Sequence, residues 1–105
     1  MYTLEFLPIA TLDINNIVYY ISHNLNNNKA ARELIKTFNK SFYNIVEFPY
    51  GCSIYSPTKK LKNDYRSYKV KNFHMFYTIN EKTKAITIVR VLYQRMDLNE
   101  ILKES

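Results

Sequence analysis

Apolar and polar positions alternate with period two in three runs between residues 65 and 97, YRSYKVKNFHMFYTINEKTKAITIVRVLYQRMD, and follow the helical period in two segments before them. Alternating runs bounded by short polar turns predict an antiparallel meander, whereas apolar residues recurring three and four apart predict amphipathic helices. At the start, Tyr2, Leu4 and Phe6 alternate with Thr3 and Glu5. Residues 1–7 therefore read as a short strand closed by Pro8, which suits a first helical turn because it has no N–H to leave unpaired. Ile14, Ile17, Val18, Ile21 and Leu25 then recur at helical spacing, an aliphatic stripe that must pack on something. The run Asn26, Asn27, Asn28 ends that helix, since asparagine side chains compete for backbone hydrogen bonds and favour turns and caps.

A second helix is predicted from about Asn28, with Ala31, Leu34, Ile35, Phe38, Phe42 and Ile45 or Val46 on its buried side, ending before Pro49. Its other side carries Lys29, Arg32, Lys36 and Lys40, the ordinary solvated face of an amphipathic helix. Residues 49–64 form a loop holding Gly51, Pro57, Lys59, Lys60 and Lys62. In the meander, Tyr68 and Val70 face one way and Ser67, Lys69 and Lys71 the other, and Lys71 and Asn72 link this strand to the next, residues 73–79. Residues 85–93 are apolar on both faces apart from Thr87 and Arg90, as expected of a central strand covered by helices. One or two last helical turns are expected over residues 97–103. The expected core unites Ile17, Ile21, Leu34, Phe38, Phe76 or Tyr77, Ile88 and Leu92. The sum is an α+β fold of order β-α-α-β-β-β, a helical hairpin packed on a small antiparallel sheet.

Length makes this one domain over residues 1–105, large enough for a core without disulfides or metal but suited to a shallow groove rather than an enclosed site. Lys and Arg number 15 against 9 Asp and Glu, a net charge of +6 that favours encounter with nucleic acid, ribosomes or an acidic protein. Cys52 is the one cysteine, which excludes an intrachain disulfide and a thiolate metal cluster. With one glycine there is no phosphate-cradling loop, and the two histidines, His23 and His74, lack metal-ligand spacing, so neither cofactor nor metal is expected. No apolar run reaches the roughly 20 residues of a membrane span, and no leader pattern opens the chain, so a cytoplasmic protein is expected.

The polar residues of the meander are the candidate chemistry. A metal-independent ribonuclease needs a base for the ribose hydroxyl, an acid for the leaving oxygen and cations for the phosphorane charge, and Lys69, His74, Tyr93 and Arg95 include residues of each type. Arg66 and Arg95 are instead suited by their fixed fork of donors to grip a carboxylate or phosphate.

Arg66-Ser67-Tyr68, His74, Phe76-Tyr77 and Arg90-Val91-Leu92-Tyr93-Gln94-Arg95-Met96-Asp97 together resemble the RelE/ParE family of toxins from bacterial type II toxin-antitoxin modules. The resemblance covers essentially the whole chain and is nearer to the ParE branch, with Tyr93 where that branch usually has histidine. In the RelE branch, ribosome-dependent mRNA endonucleases, Arg95 matches a catalytic arginine and Lys69 a catalytic lysine. His74 stands in place of a second arginine, and the tail Leu98-Asn99-Glu100-Ile101-Leu102 has no counterpart of the C-terminal catalytic tyrosine. ParE toxins poison DNA gyrase and lack the nuclease set. The resemblance thus implies a growth-arresting, plasmid-stabilising toxin acting on gyrase and neutralised by a ParD- or RelB-like antitoxin with an acidic disordered segment. Arg66, Lys69, His74, Arg90, Tyr93, Arg95 and Asp97 are the residues it implies for target or antitoxin binding. The alternatives are a RelE-like mRNA endonuclease acting with the ribosome, or a non-toxic basic interaction module.

Overall fold

The computed structural model describes residues 1–52, 54 and 64–94. In chain order these form β1 (Thr3–Phe6), α1 (Pro8–Tyr19), a π-helical turn (Tyr20–Asn24), α2 (Asn28–Glu47), β2 (Arg66–Val70), β3 (Phe73–Asn80) and β4 (Ala85–Tyr93). The α+β order is the expected one. Pro8 opens α1, and the asparagine run does the work foreseen for it: Asn26 takes a positive φ of 49°, and the Asn27 side chain accepts a hydrogen bond from the Ala30 N–H, capping α2. The helical turns expected over 97–103, and Pro57, Lys59, Lys60 and Lys62 of the loop, lie outside the described residues.

The four strands lie in the order β1-β4-β3-β2. β2, β3 and β4 form the antiparallel meander, and β1 joins it parallel to β4, with Thr3 opposite Ala85 and Phe6 opposite Ile88, so the sheet is mixed. The meander's two links are local. Asn80 accepts at its side-chain oxygen from the N–H groups of Lys82 and Thr83, an Asx turn that sets β4 beside β3. Pairing shifts between Phe76 and Tyr77, which oppose Arg90 and Ile88, and so leaves Val89 as the extra residue of a bulge.

Register and alternation divide the sheet into two faces. Val70, Met75, Tyr77, Ile86, Ile88 and Val91 meet Ala10, Leu34, Phe38 and Ile45 in the core under the helices. Phe76 and Leu92 are also buried, but strand alternation places them on the opposite face, so the expected single cluster is in fact two layers. A second correction concerns α1. Its one buried residue is Ala10; Ile14, Ile17 and Ile21 are half-buried against the core and Leu25 is exposed. The stripe fails at Leu25 because the π-helical turn changes the angular step and the chain then leaves the helix. Ile35 of α2 is likewise exposed, lying at the margin of the apolar arc.

β1 covers β4 only as far as Ile88, whose carbonyl accepts from the Leu7 N–H at 3.0 Å. Beyond it the outer edge of β4 faces α1, and Asp13 fills the gap. Its carboxylate accepts from Arg90 Nε at 2.8 Å, from Arg90 Nη2 at 2.9 Å and from the Val91 backbone N–H at 3.1 Å. An edge N–H that would otherwise invite another strand is thereby satisfied within the chain.

Candidate functional site

Strand β3 runs between β2 and β4, so residues brought together on it must also share a face. On the face away from the helices, Lys69 pairs with His74 across β2 and β3, and Ser67 reaches diagonally to His74, with its Oγ 2.9 Å from Nδ1. The His74 ring stacks on Phe76 two residues along, centroids 5.9 Å apart. Burial lowers the His74 pKa below 6.5, and the nearby Lys69 charge lowers it further. At neutral pH this imidazole is uncharged, held by one hydroxyl and one ring.

Among the described residues, the other predicted ones do not converge on it. Tyr93 pairs with Phe73 on the helix side, rings edge to face at 5.8 Å, and is therefore turned away from Lys69 and His74. It lines an open cavity of about 630 Å³ between α1 and the ends of β3 and β4, with Ile17, Tyr20, Ile21, Leu25 and Phe73. Arg66 also turns to the helix side, donating to the Cys52 carbonyl with its guanidinium 4.8 Å above the Tyr50 ring. Arg90 is committed to Asp13 in a half-buried bidentate pair. Arg95 and Asp97 lie outside the described residues. Among the described residues, no group of three or more His, Cys, Asp or Glu side chains is placed to hold a metal ion.

Two constellations escaped the sequence reading. Asp13 is the sole charged residue of α1, and that isolation in an aliphatic helix was the available signal. The second is a surface clasp around Glu81 in the β3–β4 turn. Its carboxylate accepts from Tyr2 Oη at 2.7 Å, from Tyr50 Oη, and from Lys84 Nζ at 2.6 Å, tying the start of β1 and the chain after α2 to one turn. These donors, Lys84 first, draw the Glu81 pKa down from 4.5 to about 2, and the bond to Glu81 pushes the Tyr50 phenol up from 10.0 to about 12. Sequence separation hid it: Tyr2 and Glu81 are 79 residues apart.

Residues 4–98 match the family described as the ParE toxin of the type II toxin-antitoxin system, parDE, and the chain belongs to that family. Among solved structures it is similar to a chain of the chromosomal ParDE toxin-antitoxin system from P. aeruginosa, with a TM-score of 0.69 and 14% identity, over 89% of this chain and 96% of that one. At that identity the likeness is one of fold. No curated protein matches the chain. Among the described residues, no helix is long and apolar enough to cross a membrane.

Proposed function

We propose that this chain is a growth-arresting toxin held inactive by a cognate antitoxin with an acidic segment, and that its target is DNA gyrase. The observation that carries the choice of target is the division of the candidate nuclease groups between the two faces of the sheet. Lys69 and the neutral His74 lie on one face and Tyr93 on the other, while Arg66 and Arg90 are spent on Cys52 and Asp13. Acid–base cleavage of RNA needs its base and acid on opposite sides of one phosphate, within hydrogen-bond reach of the same substrate. Two side chains on opposite faces of a sheet cannot meet that requirement. A toxin that acts by recognition needs no such pair, only anchors and shape.

The test is to add the purified chain to gyrase and plasmid DNA, and separately to ribosomes programmed with a defined mRNA. Lost supercoiling or trapped gyrase–DNA breaks with intact mRNA is the expected result. Ribosome-dependent cleavage that disappears in His74→Ala would overturn the reading in favour of the nuclease. Absence of both effects, in a chain that also gains no thermal stability from its antitoxin, would identify a non-toxic interaction module.

A further inference from the structure

The two helices of the hairpin present different outer faces. On α2 the exposed residues opposite the core include Lys29, Arg32, Lys36 and Lys40. On α1 the equivalent face is neutral and largely apolar: Ile9, Leu12, Asn16, Tyr19, Tyr20 and His23 fall within about 100° of arc, turned away from Ala10, with Asn16 and Tyr20 at the margin where they also line the cavity beside Phe73 and Tyr93. Ile9 is 43% exposed, Leu12 55%, Tyr19 59% and Tyr20 53%. Ile9, Leu12, Asn16, Tyr19 and His23 follow the alternating three-and-four spacing of a heptad seam. The π-helical turn prolongs it by setting the His23 ring flat against Tyr19, centroids 4.0 Å apart and planes 11° apart. Asp13, the one charge on α1, is turned aside to Arg90.

We propose that this seam docks a second copy of the chain, α1 antiparallel against α1, with the two-fold axis at Asn16. Charge selects the occupant. An acidic segment or a nucleic acid would find no lysine or arginine on the seam and four on α2, whereas two chains of net charge +6 can approach closely only through a neutral face. The spacing supplies the symmetry that such a contact requires. Asn16 is the midpoint between Ile9 and His23, so a two-fold axis there sets Leu12 against Tyr20 of the second copy, Ile9 against His23, and asparagine against asparagine. A single asparagine in an otherwise apolar seam fixes register, because any other alignment leaves its amide without a partner. The helical segment Pro8–Asn24 is about 25 Å long. One helix pair of that length falls short of the roughly 800 Å² per partner of a standard interface, so the dimer is micromolar and concentration-dependent.

The full chain, made by cell-free synthesis, is examined by sedimentation velocity from about 1 µM to several hundred micromolar. The expected result is a monomer at the low end and a dimer at the high end. The Leu12→Glu/Tyr19→Glu variant should stay monomeric throughout, while Tyr43→Glu, equally exposed but on α2, should dimerise like the parent. Since these residues are exposed, dilute samples should melt at the parent temperature, which separates lost docking from lost folding. In a Cys52→Ser background, Asn16→Cys should cross-link to itself on mild oxidation and Tyr43→Cys should not. A parent that remains monomeric at several hundred micromolar, a seam variant that still dimerises, or equal cross-linking at both positions would overturn the proposal. So would a monomeric parent in which Leu12→Glu abolishes binding of the antitoxin's acidic segment, because the seam would then be the antitoxin's. Gyrase plays no part in these readouts, so their failure and that of the functional proposal are distinguishable.

Discussion

Asp13 satisfies a guanidinium and an edge amide with one carboxylate, and the price of removing it is set by what remains. Arg90 would keep its charge in a half-buried position, and the Val91 N–H would face α1 without an acceptor. Asp13→Ala should therefore destabilise the fold by about 2 kcal/mol, less than for a fully buried pair because water still reaches both groups. Urea unfolding measures this, and Asp13→Ala/Arg90→Met, which removes both charges, should recover part of the loss. Glu81 makes a different prediction, one of pH. A carboxyl whose folded pKa lies below its unfolded value contributes stability that is present above about 4.5 and lost as pH falls towards about 2. Tyr50, raised to about 12, contributes in the opposite sense, its share being present below 10.0 and lost as pH rises through about 12. Thermal melts of the parent should thus weaken across both windows relative to Glu81→Gln, in which the acidic component is absent. Parallel profiles for the two proteins would show that the clasp is not formed in solution.

Helix α2 carries much of the core from the helical side, through Leu34, Phe38 and Ile45, and Phe38 is its largest fully buried side chain. Phe38→Ala should cost about 3–5 kcal/mol, a large share of a small domain's stability, read as a lowered denaturant midpoint with an unchanged slope. α2 was also the most legible element in the sequence, because a long helix with one apolar face and one cationic face repeats its signal over several turns. The meander was legible for a similar reason: its strands pair with their neighbours through short links, and local spacing encodes local pairing. β1 was legible as a strand but its place was not, since residues 3–6 pair with residues 85–88 and nothing in either run records the other. α1 misled in detail. Its apolar residues surround the helix, so periodicity alone could not separate the side that packs from the side that stays exposed, and the π-helical turn has no pattern of its own. Of the candidate site, Ser67, Lys69 and His74 follow from strand alternation, whereas the diversion of Arg66 and Arg90 to Cys52 and Asp13 depends on contacts between distant segments.

The whole molecule separates its charge from its apolar surface. Lys29, Arg32, Lys36 and Lys40 stand along one side of α2, exposed, and among the described residues none of them forms an ion pair. The neutral stripe lies on α1. Such an arrangement would serve the proposed binding of an acidic antitoxin segment, since a single-sign stripe attracts the segment from a distance while short-range packing decides how long it stays. The expected consequence is kinetic. Lys36→Glu/Lys40→Glu should slow association with the antitoxin about tenfold at 50 mM salt, with the difference shrinking towards nothing near 0.5 M, where the screening length falls to a few ångström. Dissociation should barely change, because residues that only steer are not in contact once the complex has formed. Surface plasmon resonance at the two salt concentrations checks both rates. A faster dissociation with unchanged association would place the acidic segment directly on α2, making the basic face a binding site in its own right instead of a guide to one elsewhere.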